Sequence, residues 1–213
     1  RVAEAAGARR IPSRLVAEGG GIHVDGEGTL LLTESVLLNP NRNPSWTRAE
    51  VEAELHARLG TRKAIWLPRG LVADTGPFGT DGHVDTLACF VAPGRVVVHG
   101  HPDHATAREI AAILAGETDA RGRPLEVVAL DAPAERHDAD GAPLSCSYVN
   151  FLFVNGGIVM PAFGDPADAR AAETLARLSP ERRVVPVDAV RLFMGGGGVH
   201  CITQQEPLIG QGG

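Results

Sequence analysis

Residues 83–99, HVDTLACFVAPGRVVVH, contain two apolar stretches joined by the short turn sequence APG (92–94). Two β-favouring runs on either side of such a turn predict a β-hairpin. A helix is predicted next, from about Asp103 to Gly116, because apolar residues recur there at helical spacing. The run LEVVAL (125–130) then predicts a third strand. This order of hairpin, helix and strand is the pattern that decides the fold.

The same order recurs once upstream and once downstream, so the chain contains three copies of one unit. The upstream copy predicts a hairpin within 20–39, a helix near 47–59 and a strand at 63–68. The downstream copy predicts a hairpin within 147–163, a helix opening at Asp165-Pro166 and a strand at 182–187. The turn glycines of the three hairpins are 68 and 62 residues apart, at Gly26, Gly94 and Gly156.

A ββαβ unit of this size cannot bury both faces of its own sheet, so the copies must pack against one another. We therefore predict an α/β fold of ββαβ repeats arranged radially, as in a propeller, with a three-layer α/β sandwich as the alternative. After the third copy, residues 194–207 (MGGGGVHCITQQEP) predict a glycine hinge and one lone strand at 199–205. Because that strand lacks the rest of a unit, we expect an incomplete ring whose missing elements lie on an N-terminal segment.

Composition and charge argue against several classes of function. The net charge is −6, with 20 basic and 26 acidic residues, which disfavours binding to nucleic acid or to an anionic membrane. No apolar run approaches the ~20 residues of a membrane-spanning helix. The single lysine, Lys63, nearly excludes Schiff-base chemistry. The three cysteines are far apart and odd in number, so we expect no disulfide framework and a cytoplasmic location.

Cys201 is the candidate nucleophile. It follows a run of four glycines (195–198), whose backbone can approach a ligand closely and direct N–H groups at a thiolate. A flexible hinge followed by a structural cysteine is an equally good interpretation of these residues. Cys89 lies in the apolar run TLACFV, and we expect both Cys89 and Cys146 to be structural. His200 precedes Cys201, but on a strand it would point to the opposite face and be a poor partner.

Two further positions carry titratable side chains at comparable edges of the repeat. In GHVD (82–85), strand alternation would place His83 and Asp85 on one face, giving an imidazole beside a fixed carboxylate. Glu18 precedes three glycines at the start of the first hairpin, where a carboxylate could bind a cationic ligand. Each of these groups could instead be an ordinary solvated side chain. Since such edges converge on the axis of a radial array, we group Glu18, His83 and Asp85 with Cys201.

A histidine cluster lies at the end of the second hairpin, at His99, His101 and His104. Alternation could place His99 and His101 on one face toward a metal ion, but no suitable further ligands lie near them in the sequence. We expect no metal site and no other cofactor.

Seven longer motifs occur in a fixed order along the chain: EGGGIHVDGEGT (18–29), LNPNRNP (38–44), IWLPRGL (65–71), TDGHVDTLACFV (80–91), SYVNF (147–151), PAFGDP (161–166) and GGGGVHCITQQ (195–205). Together they resemble the agmatine deiminases, within the bacterial peptidyl-arginine deiminase family, from about residue 10 to residue 207. The resemblance implies a pentein-like propeller of five ββαβ modules. Residues 1–213 would then be the C-terminal part of one propeller domain, containing about three modules and the strand that carries the cysteine.

The resemblance also implies a function. Members of this family hydrolyse a guanidine group to a ureido group and ammonia, and agmatine deiminases convert agmatine into N-carbamoylputrescine on the way to putrescine. The implied roles are Cys201 as the nucleophile, His83 as general acid and base, Asp85 as the holder of the guanidinium, Glu18 as support for His83, and Gly197 and Gly198 as residues against the substrate. No cofactor is implied.

Two alternatives stay open. One is a deiminase that acts on free or peptidyl arginine, and the other is a non-catalytic fragment of the fold. Family members have an N-terminal region with another acidic residue that holds the substrate, and we do not find it in this sequence. We therefore expect the N-terminal part of the same protein, or a second copy of this chain, as a partner.

Overall fold

The computed structural model describes residues 2–75, 79–100 and 105–206. The helices found there are α1 (Val2–Ala5), α2 (Glu34–Leu37), α3 (Arg48–Leu59), α4 (Ala105–Ala115), α5 (Ala167–Leu178) and α6 (Val190–Met194). The strands found there are β1 (Ile22–Val24), β2 (Thr29–Thr33), β3 (Lys63–Leu67), β4 (Ala88–Ala92), β5 (Arg95–Gly100), β6 (Glu126–Asp131), β7 (Leu152–Val154), β8 (Gly157–Ala162) and β9 (Arg183–Asp188). Within these ranges no helix is both long and apolar enough to cross a bilayer.

The strands form three small mixed sheets, in the orders β1-β2-β3, β4-β5-β6 and β7-β8-β9. In each sheet the first two strands pair as an antiparallel hairpin, and the third pairs parallel to the second after an intervening helix. We call these units module 1 (β1, β2, α3, β3), module 2 (β4, β5, α4, β6) and module 3 (β7, β8, α5, β9). The predicted order of hairpin, helix and strand is confirmed in all three modules of this α/β fold.

The three hairpins turn at equivalent glycines with left-handed backbone angles. The φ angles are 78° at Gly26, 76° at Gly94 and 73° at Gly156. A side chain would strain each of these positions, which is why glycine recurs in every turn. In the first turn, the Asp25 carboxylate also accepts hydrogen bonds from the N–H groups of Glu27 and Thr29, at 2.7 and 2.8 Å.

Packing between neighbouring modules forms most of the core. One cluster joins Leu31 and Ile65 of module 1 to Phe90 and Val98 of module 2, together with the buried face of α4. A second cluster joins Cys89, Val97 and Leu130 of module 2 to module 3, whose contributions include Ile158, Met160, Phe163, Ala171 and Leu175. The third lies within module 1, where Val51 and Leu55 of α3 cover Leu30 and Leu32. The modules therefore pack side by side, as the repeat predicts.

The segment that ends with Cys201 differs from the prediction. Residues 199–202 form turns, and no strand is present between 199 and 205. The short helix α6 precedes them, and its end is closed by N–H groups of the glycine run, such as Gly195 N–H to Leu192 O at 2.8 Å. The glycine-rich segment thus folds back against α6 instead of extending into a strand.

The residues before β4 also differ from the prediction. Val84–Thr86 form one turn of 3₁₀ helix, and the strand begins only at Ala88. His83 and Asp85 therefore do not share the face of a strand, and the alternation argument for them is wrong.

Candidate active site

Three loops bring the predicted residues together. The loop before β1 carries Glu18, the loop before β4 carries His83 and Asp85, and the turn after α6 carries Cys201. His83, Asp85 and Cys201 line one narrow recess. Glu18 joins the group through His83, since its Oε2 lies 3.5 Å from His83 Nε2.

Cys201 is exposed as a residue, but its sulfur packs against polar groups. Its Sγ lies 3.4 Å from Asp85 Oδ2 and 3.2 Å from Asn150 Nδ2, and the N–H of Gly198 donates to it. A Cβ at Gly197 would lie 3.0 Å from the Cβ of Cys201, and one at Gly198 would lie 2.2 Å from Asn150 Oδ1. The predicted glycines therefore lie against the thiol and its amide partner, where larger residues would not fit.

The surroundings of Cys201 favour its protonated form. Burial raises the pKa of the thiol to about 11, and the charge and hydrogen bond of Asp85 act in the same direction. The N–H of Gly198 and the amide of Asn150 lower the pKa but do not outweigh those effects. A glycine N–H lowers the pKa of Cys201, as expected, but the site without substrate still holds a protonated thiol at neutral pH.

Asp85 occupies the centre of the site and is buried. Its Oδ2 accepts hydrogen bonds from His200 Nδ1, at 2.9 Å, and from the thiol of Cys201. Its Oδ1 is buried without a hydrogen-bond partner, as are Glu18 Oε2 and His83 Nε2. Such atoms are costly to bury unsatisfied, and a planar cation with several N–H donors would satisfy the two carboxylate oxygens.

His83 and Asp85 are fixed by two close contacts. The N–H of His83 donates to Asp74 Oδ2 at 3.0 Å, and Asp74 in turn accepts from the hydroxyl of Thr80. On the other side, a Cβ at Gly20 would lie 2.6 Å from both Asp85 Oδ2 and His83 Nδ1. The glycines after Glu18 thus allow the backbone of module 1 to contact both side chains directly.

Comparison with known proteins shows which family the chain belongs to. It matches the Porphyromonas-type peptidyl-arginine deiminase family over residues 1–207. The chain belongs to this deiminase family. A Streptomyces coelicolor protein is 56% identical over 211 residues, which cover 97% of this chain and 62% of that protein. The agmatine deiminase of Stutzerimonas stutzeri is 44% identical over 214 residues, which cover 90% of this chain and 57% of that enzyme.

A solved structure of a family member has the same fold. The agmatine deiminase of Enterococcus faecalis superposes with a TM-score of 0.89 at 35% sequence identity. The match covers 97% of this chain and 61% of that one. The chain therefore spans about three fifths of the length of the relatives it matches.

His200 is the first site residue of this deiminase chain that the sequence prediction missed. The prediction that it points away from Cys201 is wrong, because both side chains contact Asp85 Oδ2. A turn replaces the expected strand, so consecutive residues are not forced to opposite faces. The adjacency of His200 and Cys201 in the sequence could have indicated that both belong to the site. The prediction of a strand there led us to discard it.

Asn150 is the second missed residue, and it is fully buried before β7. Its Nδ2 donates to Cys201 Sγ at 3.2 Å, and its Oδ1 accepts the N–H of His200 at 2.9 Å. It therefore holds the turn that carries Cys201. Asn150 lies just before the first strand of module 3, as Asp85 does in module 2. The equivalent positions in the repeat could therefore have predicted that Asn150 belongs to the site.

Arg42 is a third missed residue and lies in the LNPNRNP motif. Its guanidinium donates to Glu18 Oε1 and to Asp81 Oδ2, both at 2.8 Å, and to Thr80 O at 3.0 Å. Burial by itself would raise the pKa of Glu18, but the hydrogen bond and charge of Arg42 outweigh it and the pKa is lowered. Arg42 therefore keeps Glu18 ionised beside His83.

The other two cysteines, which were expected to be structural, are both buried. Cys89 Sγ lies 3.0 Å from Nε2 of His23, a residue of β1 that the prediction did not single out. Burial raises the pKa of Cys89 well above its ordinary value and raises that of Cys146 to about 11. Neither thiol lines the recess that holds Cys201.

His99, the described member of the histidine cluster, is buried, and its Nδ1 lies 3.0 Å from Ser147 Oγ. His101 and His104 lie outside the described residues, as does the predicted helix start at Asp103. In the part of the chain that the structure describes, no group of three or more His, Cys, Asp or Glu side chains could hold a metal ion.

Proposed function

We propose that this deiminase-family chain carries the nucleophile of a site that hydrolyses agmatine to N-carbamoylputrescine and ammonia, toward putrescine. One observation carries the proposal: Cys201 Sγ lies 3.4 Å from one oxygen of Asp85, while the other oxygen is buried and unpaired. A guanidinium held by that carboxylate brings its central carbon next to the sulfur. The names of the Enterococcus and Stutzerimonas relatives support agmatine as the substrate.

Substrate binding would also activate the thiol. Asp85 raises the pKa of Cys201 in the free site, through its charge and its hydrogen bond. A guanidinium paired with Asp85 compensates that charge and occupies the carboxylate, so both contributions weaken and the thiolate becomes accessible. The substrate is a permanent cation and supplies this effect itself.

The proposed reaction has two halves. As the guanidinium binds, the thiol of Cys201 loses its proton to solvent water, and the resulting thiolate attacks the central guanidine carbon. Protonation of one nitrogen by His83 then lets the C–N bond break and releases ammonia. The product of this half is a covalent S-amidino cation on Cys201. Water then gives a proton to His83 as its oxygen attacks the same carbon, the C–S bond breaks, and the ureido product leaves. Every step uses only side chains and water.

Glu18 and Arg42 support His83 in this proposal. Glu18 Oε2 lies 3.5 Å from His83 Nε2, and Arg42 fixes the other carboxylate oxygen. The ionised carboxylate therefore faces the imidazole that gives a proton to the leaving nitrogen in the first half of the reaction.

We also propose that the modules are arranged around an axis, as in a pentein propeller. The loops before β1, β4 and β7 occupy equivalent places in the repeat, and each supplies a residue to the site: Glu18, Asp85 and Asn150. Such convergence is what a radial array produces. The relatives are longer than this chain, so the N-terminal part of the protein, or a second copy, would complete the ring, in a cytoplasm that keeps the thiols reduced.

The decisive experiment compares two alkylating reagents on the purified chain. 2-Chloroacetamidine is a planar cation that mimics the guanidinium, and 2-chloroacetamide, which has the same leaving group, is its neutral counterpart. We expect the cation to label Cys201 faster than it labels Cys89 or Cys146, and agmatine to slow that labelling. Mass mapping gives the site, and Cys201→Ser is the control. Labelling confined to Cys89 or Cys146 would overturn the choice of nucleophile.

A turnover assay then tests the substrate. Agmatine, free arginine and a peptidyl arginine are incubated with the protein, and ammonia and ureido product are measured. We expect product from agmatine, and none with Cys201→Ser. Turnover that survives this substitution would rule out the covalent mechanism, and a preference for arginine would replace the proposed substrate.

A further inference from the structure

We propose that His200 is a positioning residue, which holds the Asp85 carboxylate in the orientation that recognises the guanidinium by donating a proton from Nδ1. The proposal rests on the proposed function. Neither the charge nor the nucleophilicity of His200 is used; its contribution is one directed hydrogen bond.

The two ring nitrogens of His200 have different partners. Nδ1 lies 2.9 Å from Asp85 Oδ2, and Nε2 lies 3.5 Å from the side-chain amide nitrogen of Gln205. A carboxylate oxygen accepts, so the contact between Nδ1 and Asp85 Oδ2 is a hydrogen bond in which Nδ1 carries the proton. The ring therefore directs an N–H group at the carboxylate that would hold the substrate.

The backbone of His200 is fixed well enough for this role. Its N–H donates to Asn150 Oδ1 at 2.9 Å, and its carbonyl accepts from Thr203 Oγ1 at 2.8 Å. The ring of His23 packs behind it, with the ring centroids 6.2 Å apart. Since His200 is buried, its imidazole has little freedom to leave Asp85.

Asp85 needs such a partner. Its Oδ1 has none, and its Oδ2 is shared only by His200 and Cys201 among the described residues. When the thiol of Cys201 gives up its proton, the hydrogen bond from Cys201 is lost. His200 then remains as the donor that keeps the carboxylate plane fixed while the substrate is held.

Two amide substitutions at His200 distinguish the contribution of the Nδ1–H donor from that of the imidazole ring as a whole. In His200→Asn the side-chain NH₂ can take the place of Nδ1–H and still donate to Asp85. In His200→Gln the NH₂ reaches instead to the place of Nε2, beside Gln205. The asparagine variant therefore preserves the proposed contact, and the glutamine variant removes it.

The measurement is the ratio of the labelling rates of Cys201 with 2-chloroacetamidine and with its neutral counterpart 2-chloroacetamide. Both reagents alkylate the same sulfur, so their ratio reports how strongly the site favours the cation, through its binding at Asp85 and through the thiol ionisation that the bound cation promotes. We expect His200→Gln to lower the ratio about tenfold, the effect of losing one hydrogen bond to a charged group. We expect His200→Asn to stay near the wild-type ratio, and Asp85→Asn to abolish the preference.

The outcomes separate this inference from the proposed function. If the wild-type protein shows no preference for the cation, or if Asp85→Asn keeps it, the proposed function fails and the inference with it. If Asp85→Asn loses the preference but His200→Gln retains it, only the positioning role of His200 is overturned. Circular-dichroism melting of each variant identifies any that does not fold.

A measurement on the wild-type protein tests the same contact without a substitution at His200. Nitrogen-15 NMR of the imidazole distinguishes the two tautomers, and we expect His200 to be protonated on Nδ1. We also expect the Nδ1 signal to move in Asp85→Asn. A ring protonated on Nε2 in the wild-type protein would overturn the proposal even if no His200 variant folds.

Discussion

At the scale of single residues, burial and then its neighbour Asp85 control the ionisation of the Cys201 thiol. Burial and Asp85 together raise the pKa of the thiol to about 11. Replacing Asp85 by asparagine removes the charge, so we expect the pKa to fall and iodoacetamide to label Cys201 faster at pH 8. Cys146 is the internal control, because burial raises its pKa to about 11 without Asp85. Unchanged or slower labelling of Cys201 in Asp85→Asn would contradict this account of the thiol.

His23 makes stability depend on pH through its burial. Burial, and then the charge of His200, lower the pKa of His23 from 6.5 to about 4. Between these values the unfolded chain binds more protons at this position than the folded chain. We therefore expect this contribution to the free energy of unfolding to be complete above pH 6.5 and to be lost as the pH falls toward 4.

The test of the His23 prediction is urea denaturation of the wild-type protein and of His23→Gln at pH 7 and pH 5. Glutamine can still place a donor near Cys89 Sγ but does not titrate. We expect the wild-type protein to lose more stability than the variant between the two pH values. Equal losses would show that His23 is not the titrating group.

At the scale of elements, helix ends provide a matched pair of glycines. Gly60 and Gly116 each follow a helix directly, at the ends of α3 and α4. Gly60 has a left-handed φ of 68°, whereas Gly116 does not, and a Cβ at Gly116 would come no closer than 3.4 Å to its surroundings. We expect Gly60→Ala to lower the free energy of unfolding by about 1 kcal/mol. We expect Gly116→Ala to be neutral or slightly stabilising. Similar losses in urea denaturation would contradict the backbone argument.

The sequence predicts some elements of the fold better than others. The hairpins and main helices followed from local signals, which are the turn glycines and the apolar periodicity. The segments around His83 and Cys201 did not, because their backbone is set by contacts with other modules, such as Asn150 Oδ1 to His200 N–H. A periodic pattern extended through those residues gave strands where the structure has turns.

The same reason explains which site residues were found. Glu18, His83, Asp85 and Cys201 stand in motifs with recognisable chemistry, so the sequence and its resemblance to a family could select them. Asn150, Arg42 and His200 act by hydrogen bonds that depend on where distant loops meet. Their roles could not be assigned before those loops were placed together.

At the scale of the whole molecule, two of the three core clusters are shared between neighbouring modules, and one lies within module 1. Cys89 of module 2 belongs to the cluster that contains Cys146 and the apolar residues of module 3, and its sulfur also contacts His23 of module 1. A module separated from its neighbour would expose one of these shared clusters to water. This coupling predicts that the three modules unfold together.

The two buried cysteines can report that transition independently. Cys89 becomes accessible when module 2 separates from its neighbours, and Cys146, which lies before β7, when the packing around module 3 opens. In a urea series with short pulses of a thiol reagent, we expect Cys89 and Cys146 to become reactive at the same urea concentration, coincident with the loss of circular dichroism. Cys201 is the control, because it is exposed and reacts before the transition. Labelling of Cys146 at a clearly lower urea concentration than Cys89 would show instead that module 3 opens first, and that the site loses Asn150 and Cys201 while modules 1 and 2 remain folded.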